Sequence, residues 1–246
     1  MSLSISKLVI QTKCYIGIYR RDRLANNDYM KDYSSHVGIV GGGIAGLTAG
    51  CALRLQGIKT IVFERSEKTS EYGAGISISP NGFGLLEKLG IKDSLMNESF
   101  SPSRVVMSHL NKEIISMETE VITSSRQNLI KVIHQRYLEL GGEILFNHEC
   151  SSLDQEACEI TFSNDKTYKV MHALACDGIK STIRKKHFPT TGAPIYSGYS
   201  AWRGIGISNL KNIQFILGPR SHIVSYPINA QGSTSFVGVV KTKVLN

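Results

Sequence analysis

The 246-residue chain contains no run of about 18 apolar residues, so a membrane-spanning helix is not expected. Its first apolar stretch is broken by Gln11 and Lys13, which argues against a secretory leader. The five cysteines, Cys14, Cys51, Cys150, Cys158 and Cys176, are odd in number and widely spaced. They form no C-x-x-C, so neither a zinc site nor a disulfide framework has its usual spacing. A reducing compartment, taken as the cytoplasm, is the expectation. The seven histidines are scattered without ligand spacing, so no metal is expected. No internal repeat, low-complexity tract or dense Lys/Arg stripe with interleaved aromatics is present, and nucleic acid is not an expected partner.

What is present can build a core. Apolar residues make up 41% and charged residues 20%, which excludes disorder by composition. Lys and Arg total 28 against 20 Asp and Glu, a net +8 that favours anionic ligands such as nucleotides. Part of that excess sits in residues 1–29, which carry Lys7, Lys13, Arg20, Arg21 and Arg23 against Asp22 and Asp28. This segment is read as a frayed end or an extension upstream of a natural start at Met30, ahead of an organelle-targeting arm. Glycine is over-used, at 23 residues, and asks for backbone explanations.

Val37–Val40 reads as a short buried strand. Ile44, Leu47, Cys51 and Leu55 recur at helical spacing, with Gly57 as a stop, and Ile61–Phe63 is a second buried strand. This is a β-α-β unit. A helix is expected over 81–89 and strands over 103–109 and 112–118. A further helix, capped by Ser124 or Ser125, runs to Leu140 with Leu129, Ile133, Tyr137 and Leu140 on one face. Strand patterns follow near 143–146, 158–163 and 168–175, then at 195–205, 213–217, 222–226 and 234–240. Pro189, Gly192 and Pro194 suggest a domain boundary near 190.

The motif richest in chemistry is Gly41-Gly42-Gly43-Ile44-Ala45-Gly46, a G-x-G-x-x-G between a strand and a helix. The first glycine makes the turn, the second admits a pyrophosphate, and the third packs helix on strand. The phosphates then meet the positive helix N-terminus. Glu64, 18 residues after Gly46 at the end of the second strand, can accept hydrogen bonds from ribose hydroxyls. Spacing alone leaves FAD and NAD both open. Three later segments bear on the choice: Gly73-Ala74-Gly75-Ile76-Ser77 with Pro80-Asn81, Arg126 at the start of a helix, and Asp177-Gly178 with Ser181 and Arg184.

With these segments the chain resembles the single-component FAD-dependent aromatic-ring hydroxylases, a group that includes salicylate, urate and para-hydroxybenzoate hydroxylases. The resemblance runs from about Val37 to Val240. It implies an α/β Rossmann-like FAD-binding domain followed by a substrate domain of mixed or antiparallel sheet, an α+β second part. It places Gly41, Gly43, Ala45 and Gly46 on the FAD pyrophosphate, Glu64 and Arg65 on the adenosine, and Ser77 near the FAD. Arg126 is implied at the phosphate or ribityl side, where a guanidinium can fork to anionic oxygens. Asp177 belongs to the fingerprint associated with both FAD and NAD(P)H; the alternative is a cap for a helix over 180–187. Arg184 is either a cofactor-side base or a surface charge. The implied reaction uses NAD(P)H as co-substrate and O2 to hydroxylate a small aromatic or heteroaromatic substrate, the flavin carrying the chemistry. Epoxidation or hydroxylation of a quinone precursor are alternatives within the class.

Arg203, His222 and Tyr226 are the substrate-side candidates, from the late strands. Alternation turns Trp202 and Arg203 to opposite faces and puts His222, Val224 and Tyr226 on one. The bland reading of His222 and Tyr226 is a surface histidine and a packing aromatic. The family also has a Gly-Asp motif after the substrate sheet, and this sequence contains no Gly-Asp dipeptide. The expectation is therefore a chain truncated at its C-terminus: residues 1–34 an extension, 35–190 the FAD-binding domain, with 72–118 contributing in part to the substrate sheet, and 191–246 the start of the substrate domain. A homo-oligomer or a completing partner chain are the expected assemblies. A non-catalytic FAD- or nucleotide-binding remnant is the alternative function; an ordinary NAD-dependent dehydrogenase is disfavoured by the Asp177-Gly178 segment.

Overall fold

The apolar run Val37–Val40 is the buried end of a longer strand. In the structure, a computed structural model describing residues 31–68, 74–191 and 193–242, the first elements are β1 (Tyr33–Val40), α1 (Ile44–Leu55), β2 (Thr60–Phe63), β3 (Gly75–Ile78), α2 (Pro80–Leu89), α3 (Lys92–Met96) and β4 (Ser99–Phe100). Next come β5 (Arg104–His109), β6 (Lys112–Glu118), β7 (Ile122–Ser125), α4 (Arg126–Glu139), β8 (Glu143–Leu145), β9 (Cys150–Asp154), β10 (Glu159–Phe162) and β11 (Thr167–Ala175). The last are α5 (Thr182–His187), β12 (Tyr199–Ile207), β13 (Ile213–Leu217), β14 (Ser221–Pro227) and β15 (Ser233–Lys241).

The chain divides into two units, the described residues of 1–69 with 137–194, and those of 70–136 with 195–242. The first holds a six-stranded sheet of order β8-β2-β1-β11-β10-β9, with β8, β2, β1 and β11 parallel and β10 and β9 antiparallel to their neighbours. All four residues of β2 are buried, as a strand covered on both faces requires. The core gathers Tyr33, Val40, Ile61, Phe63, Ile160, Phe162, Tyr168 and Val170. Helix α1 buries Leu47 and Cys51 against the sheet, while Leu55 is half-exposed at its end. The Tyr137 ring seats where a Cβ on Gly50 would stand 2.7 Å away, and its hydroxyl meets Thr60 Oγ1 at 2.9 Å.

The second unit holds a six-stranded sheet of order β12-β15-β14-β13-β5-β6 and a three-stranded sheet of order β3-β7-β4. Only the β13–β5 pairing is parallel in the larger sheet. Its core centres on Ile213, Tyr226 and Ile228, flanked by Val105, Phe215 and Val224. Helix α4 starts where Ser125 Oγ accepts the Asn128 N–H at 3.0 Å, and it buries Leu129 and Ile133.

Several expectations change. Tyr33 is 2% exposed and lies in β1, so an extension ending at residue 34 is two residues too long. Residues 1–30, with the basic segment and Met30, fall outside the described residues, as do Gly73 and Gly192. The single boundary near 190 gives way to an interleaved division, because β5 pairs with β13, 108 positions on, and β3 packs against β15. Segment 70–136 therefore groups with 195–242 rather than with the glycine motif. The late sheet begins at Tyr199, not Ile195, whose side chain is 94% exposed. Helix α3 and strands β7 and β9 had no sequence signal strong enough to draw them; β7 and β9 are rich in Ser and Thr, a weak hydrophobic pattern.

Candidate functional site: a glycine turn at the ends of parallel strands

The carboxyl ends of three parallel strands meet at the first glycine segment. Val40 pairs with Phe63 on one side and Ala175 on the other. The Gly41 N–H donates to Phe63 O at 2.8 Å and the Cys176 N–H to Val40 O at 2.8 Å. Ligands of open α/β sheets gather outside such strand ends. Gly41 has φ +107°, and a Cβ there would stand 2.4 Å from Cys176 O. A Cβ on Gly46 would stand 1.9 Å from Gly41 O. Both glycines are therefore required by the protein itself.

Gly43 differs. It is the N-cap of α1 with an ordinary φ of −78°, and a Cβ there would meet nothing within 4 Å. Among the described residues no neighbour requires glycine at 43. The turn leaves open space at a helix N-terminus, where amides and helix dipole favour an anion. Ala45 is exposed on the first turn of the helix.

Glu64 closes this turn from β2. Its Oε2 accepts the Gly42 N–H at 2.6 Å and its Oε1 the Ser66 N–H at 2.9 Å. A carboxylate has about four acceptor positions, so two remain for hydroxyl donors. Arg65 is exposed beside it. On the other flank, Asp177 Oδ2 accepts the Ile183 N–H at 3.3 Å, while Ser181 is the N-cap of α5, accepting from the Arg184 N–H at 2.9 Å. Asp177 thus assists the start of α5 without being its cap. The Arg184 guanidinium is turned back onto Ile179 O. Burial and then the Asp177 charge push the Cys176 thiol up, which keeps it protonated and inert at neutral pH. The structure thus brings Gly41, Gly43, Ala45, Gly46, Glu64, Arg65 and Asp177 into one region.

The remaining predicted residues stand in the second unit. Ser77 is exposed on β3, opposite Thr123. Arg126 opens α4; its N–H donates to Ala74 O at 3.1 Å, and its half-buried guanidinium sits at the helix end where a cation is unfavourable. Arg203, His222 and Tyr226 share a face of the larger sheet, since Arg203 lies across from Val237 and Val237 from Val224, with Trp202 on the other face. Arg203 is exposed and His222 half-buried. Tyr226 is 8% exposed within the core, so it packs rather than presenting itself to a ligand. A cavity of about 410 Å³ in this unit is lined by Phe83, Lys92, Met96, Pro102 and Val121 among others, and by none of the predicted residues. Among the described residues no group of His, Cys, Asp and Glu could hold a metal, and no helix is long and apolar enough to cross a membrane.

Two features escaped the sequence reading. Glu143 on β8 binds both Lys31 and the Tyr33 hydroxyl, the latter at 2.8 Å. Burial opposes ionisation of Glu143, but these two hydrogen bonds outweigh it and hold the carboxyl below its usual range. His148 lies buried directly behind the Glu64 turn. Neither has a motif; a lone acid on a short strand and a lone histidine in a loop carry no local signal.

Fold and site together define a dinucleotide-binding α/β protein. Residues 34–242 match the model of the FAD binding domain family, and the chain belongs to that family. The residues present fit the group: an open glycine position at a helix N-terminus and an acid with spare acceptors at the next strand end. Among curated proteins, it is 25% identical to 3-amino-4-hydroxybenzoate 2-monooxygenase PtnB3 of Streptomyces platensis, over 86% of this chain and 58% of that protein. It is 26% identical to 2,6-dihydroxypyridine 3-monooxygenase of Paenarthrobacter nicotinovorans, over 81% of this chain and 52% of that one. Among solved structures, it shares the fold of the tetrameric form of 2-methyl-3-hydroxypyridine-5-carboxylic acid oxygenase, with TM-score 0.70 and 23% identity over 86% of this chain and 60% of that one. The chain thus spans a little over half the length of the relatives it matches.

Proposed function

We propose that the chain holds FAD on the Gly41–Gly46 turn and acts as, or as part of, a monooxygenase that uses NAD(P)H and O2 to hydroxylate a small aromatic or heteroaromatic ring. The observation that carries this is Gly43: no atom of the described residues accounts for glycine there, and a ligand's close approach would. The substrate class rests on the two monooxygenases above, whose names specify an aminohydroxybenzoate and a dihydroxypyridine.

In this reading Gly41, Gly43, Ala45 and Gly46 present backbone to the pyrophosphate, and Glu64 takes ribose hydroxyls while Arg65 lies alongside the adenosine. Ser77, Arg126 and Asp177 also serve the cofactor, Arg126 through a charge-assisted bond to an anionic oxygen. The flavin, when bound, supplies the electron transfer and oxygen activation. The chain's own residues bind it, orient it and exclude water. Arg203 and His222 remain the substrate-side candidates. Self-association is the assembly we favour, in a reducing compartment.

The test is the visible absorbance of purified 1–246, with and without added FAD. A bound-flavin spectrum, followed by substrate-dependent NAD(P)H oxidation with stoichiometric hydroxylated product, is the expected result. A soluble, folded sample that takes up no FAD overturns the reading. Bound flavin that gives only peroxide or no product across aromatic substrates would instead leave an FAD-binding protein without hydroxylase activity.

A further inference from the structure

His148 is 6% exposed and its Nε2 is buried with no hydrogen-bond partner among the described residues. Its ring sits among Phe162 at 5.0 Å, Tyr168 at 5.6 Å and Phe63 at 6.0 Å between centroids. Nδ1 donates to Phe146 O at 2.6 Å, which fixes the neutral ring in the tautomer that leaves Nε2 bare. A second proton on Nε2 would place an N–H among apolar rings with no acceptor, a costly arrangement.

The backbone of the same loop builds the turn that carries Glu64. The His148 N–H donates to Glu64 O at 2.8 Å, the Asn147 N–H to Ser66 O at 3.0 Å, and the Glu64 N–H to Leu145 O at 2.9 Å. Glu64 in turn grips the Gly42 and Ser66 amides. A continuous chain of hydrogen bonds therefore runs from the His148 backbone through Glu64 to the glycine turn.

We propose that His148 is a positioning residue for the cofactor, holding the Glu64–Ser66 turn in binding geometry while its ring is neutral and loosening it when the ring is protonated, so that FAD affinity falls from pH 7.5 to pH 5.5. This rests on the FAD reading above. The charged and titratable groups around the ring do not rescue its protonated form. Lys166, in the turn before β11, opposes it; Tyr168 is held neutral by burial; the Glu64 carboxylate on the β2 side is engaged by two amides. Burial, and then Lys166, hold the His148 ring below the ordinary histidine range, against the bond to Phe146. Because the native state resists a proton that the unfolded chain accepts, stability contributed here is full above about pH 6.5 and is lost as pH falls below it.

The experiment measures FAD dissociation constants at pH 7.5 and 5.5 for 1–246 and for His148→Phe, which keeps an aromatic ring in an aromatic cluster. The parent is expected to bind more weakly at pH 5.5, by up to about fivefold, the most that a coupling of about one pKa unit produces there for a ring held below the ordinary histidine range. The variant is expected to bind at pH 7.5 within about threefold of the parent and to lose the pH slope. The same slope in both overturns the proposal and leaves FAD binding standing. No FAD binding by either at both pH values instead overturns the FAD reading, and this coupling with it. Should the variant not fold, an NMR titration of His148 in the parent decides: by reciprocity, saturating FAD must lower its midpoint, and an unmoved midpoint overturns the proposal.

Discussion

Two glycine-bearing segments of this chain look alike in sequence and are held by different causes. In the first unit, Gly41 and Gly46 are demanded by backbone atoms 2.4 and 1.9 Å from where their Cβ atoms would lie, while Gly43 is demanded by nothing among the described residues. In the second unit, a Cβ on Gly75 would stand 2.6 Å from Ser235 and Tyr226 and 2.8 Å from Ile228, and its N–H donates to Ser235 Oγ at 2.8 Å. Gly75 is thus fully explained by packing. A glycine that the fold explains says nothing about a ligand; a glycine the fold leaves unexplained, at the positive end of a helix, does.

The comparison breaks most visibly at Gly46. Gly46→Ala drives a methyl into the Gly41 carbonyl, backbone against backbone, so it should cost about 3 kcal/mol or more. The urea midpoint would report it. A variant as stable as the parent would mean that the turn is not built as described. Gly43→Trp is the converse. It should leave the unfolding free energy within about 0.5 kcal/mol of the parent's, since its Cβ points into open space. It should also weaken FAD by about a hundredfold or more, equivalent to ~2.7 kcal/mol. Retention of stoichiometric FAD would remove the motif assignment.

That pair of outcomes separates what the sequence could show from what it could not. The turn, its helix and Glu64 lie within 24 residues, so strand, glycine and acid spacing are all local and legible. The reason for each glycine is not local: Gly41 is fixed by Cys176, 135 positions on. The full interleaving of the units, beyond the partial share in the later sheet given to 72–118, has no local signal for the same reason, since β5 joins β13 in parallel and no local pattern announces a parallel partner. For Tyr226 the sequence favours packing over a pocket without deciding it, because alternation gives a face, not its neighbour. His148 and Glu143 had no signal because their partners are far apart in the chain or in the backbone.

Gly75→Ala sharpens the contrast at smaller scale. Its three crowded neighbours are side-chain atoms, which can shift where a carbonyl cannot, so the cost should be about 1–2 kcal/mol. Thermal unfolding measures it. A loss equal to that of Gly46→Ala would show that rigid and yielding neighbours are not the difference between the segments.

The smallest effect belongs to Glu143, which ties the start of β1 to the sheet edge through Lys31 and Tyr33. Its carboxyl is held below the ordinary range, so the folded state loses protons that the unfolded chain keeps near pH 4.5. The stability it adds is present above that pH and is lost as pH falls through the lowered native value. The side chain is 35% exposed and Lys31 more so; solvent screening therefore limits the contribution to about 1 kcal/mol. Glu143→Gln should lower the unfolding midpoint slightly at pH 7, and the deficit should shrink as pH falls through the lowered native value. A deficit that stays constant from pH 7 to 3 would assign the effect to packing of Tyr33, and the β1 edge would then resemble Gly75 more than the charged turn beside it.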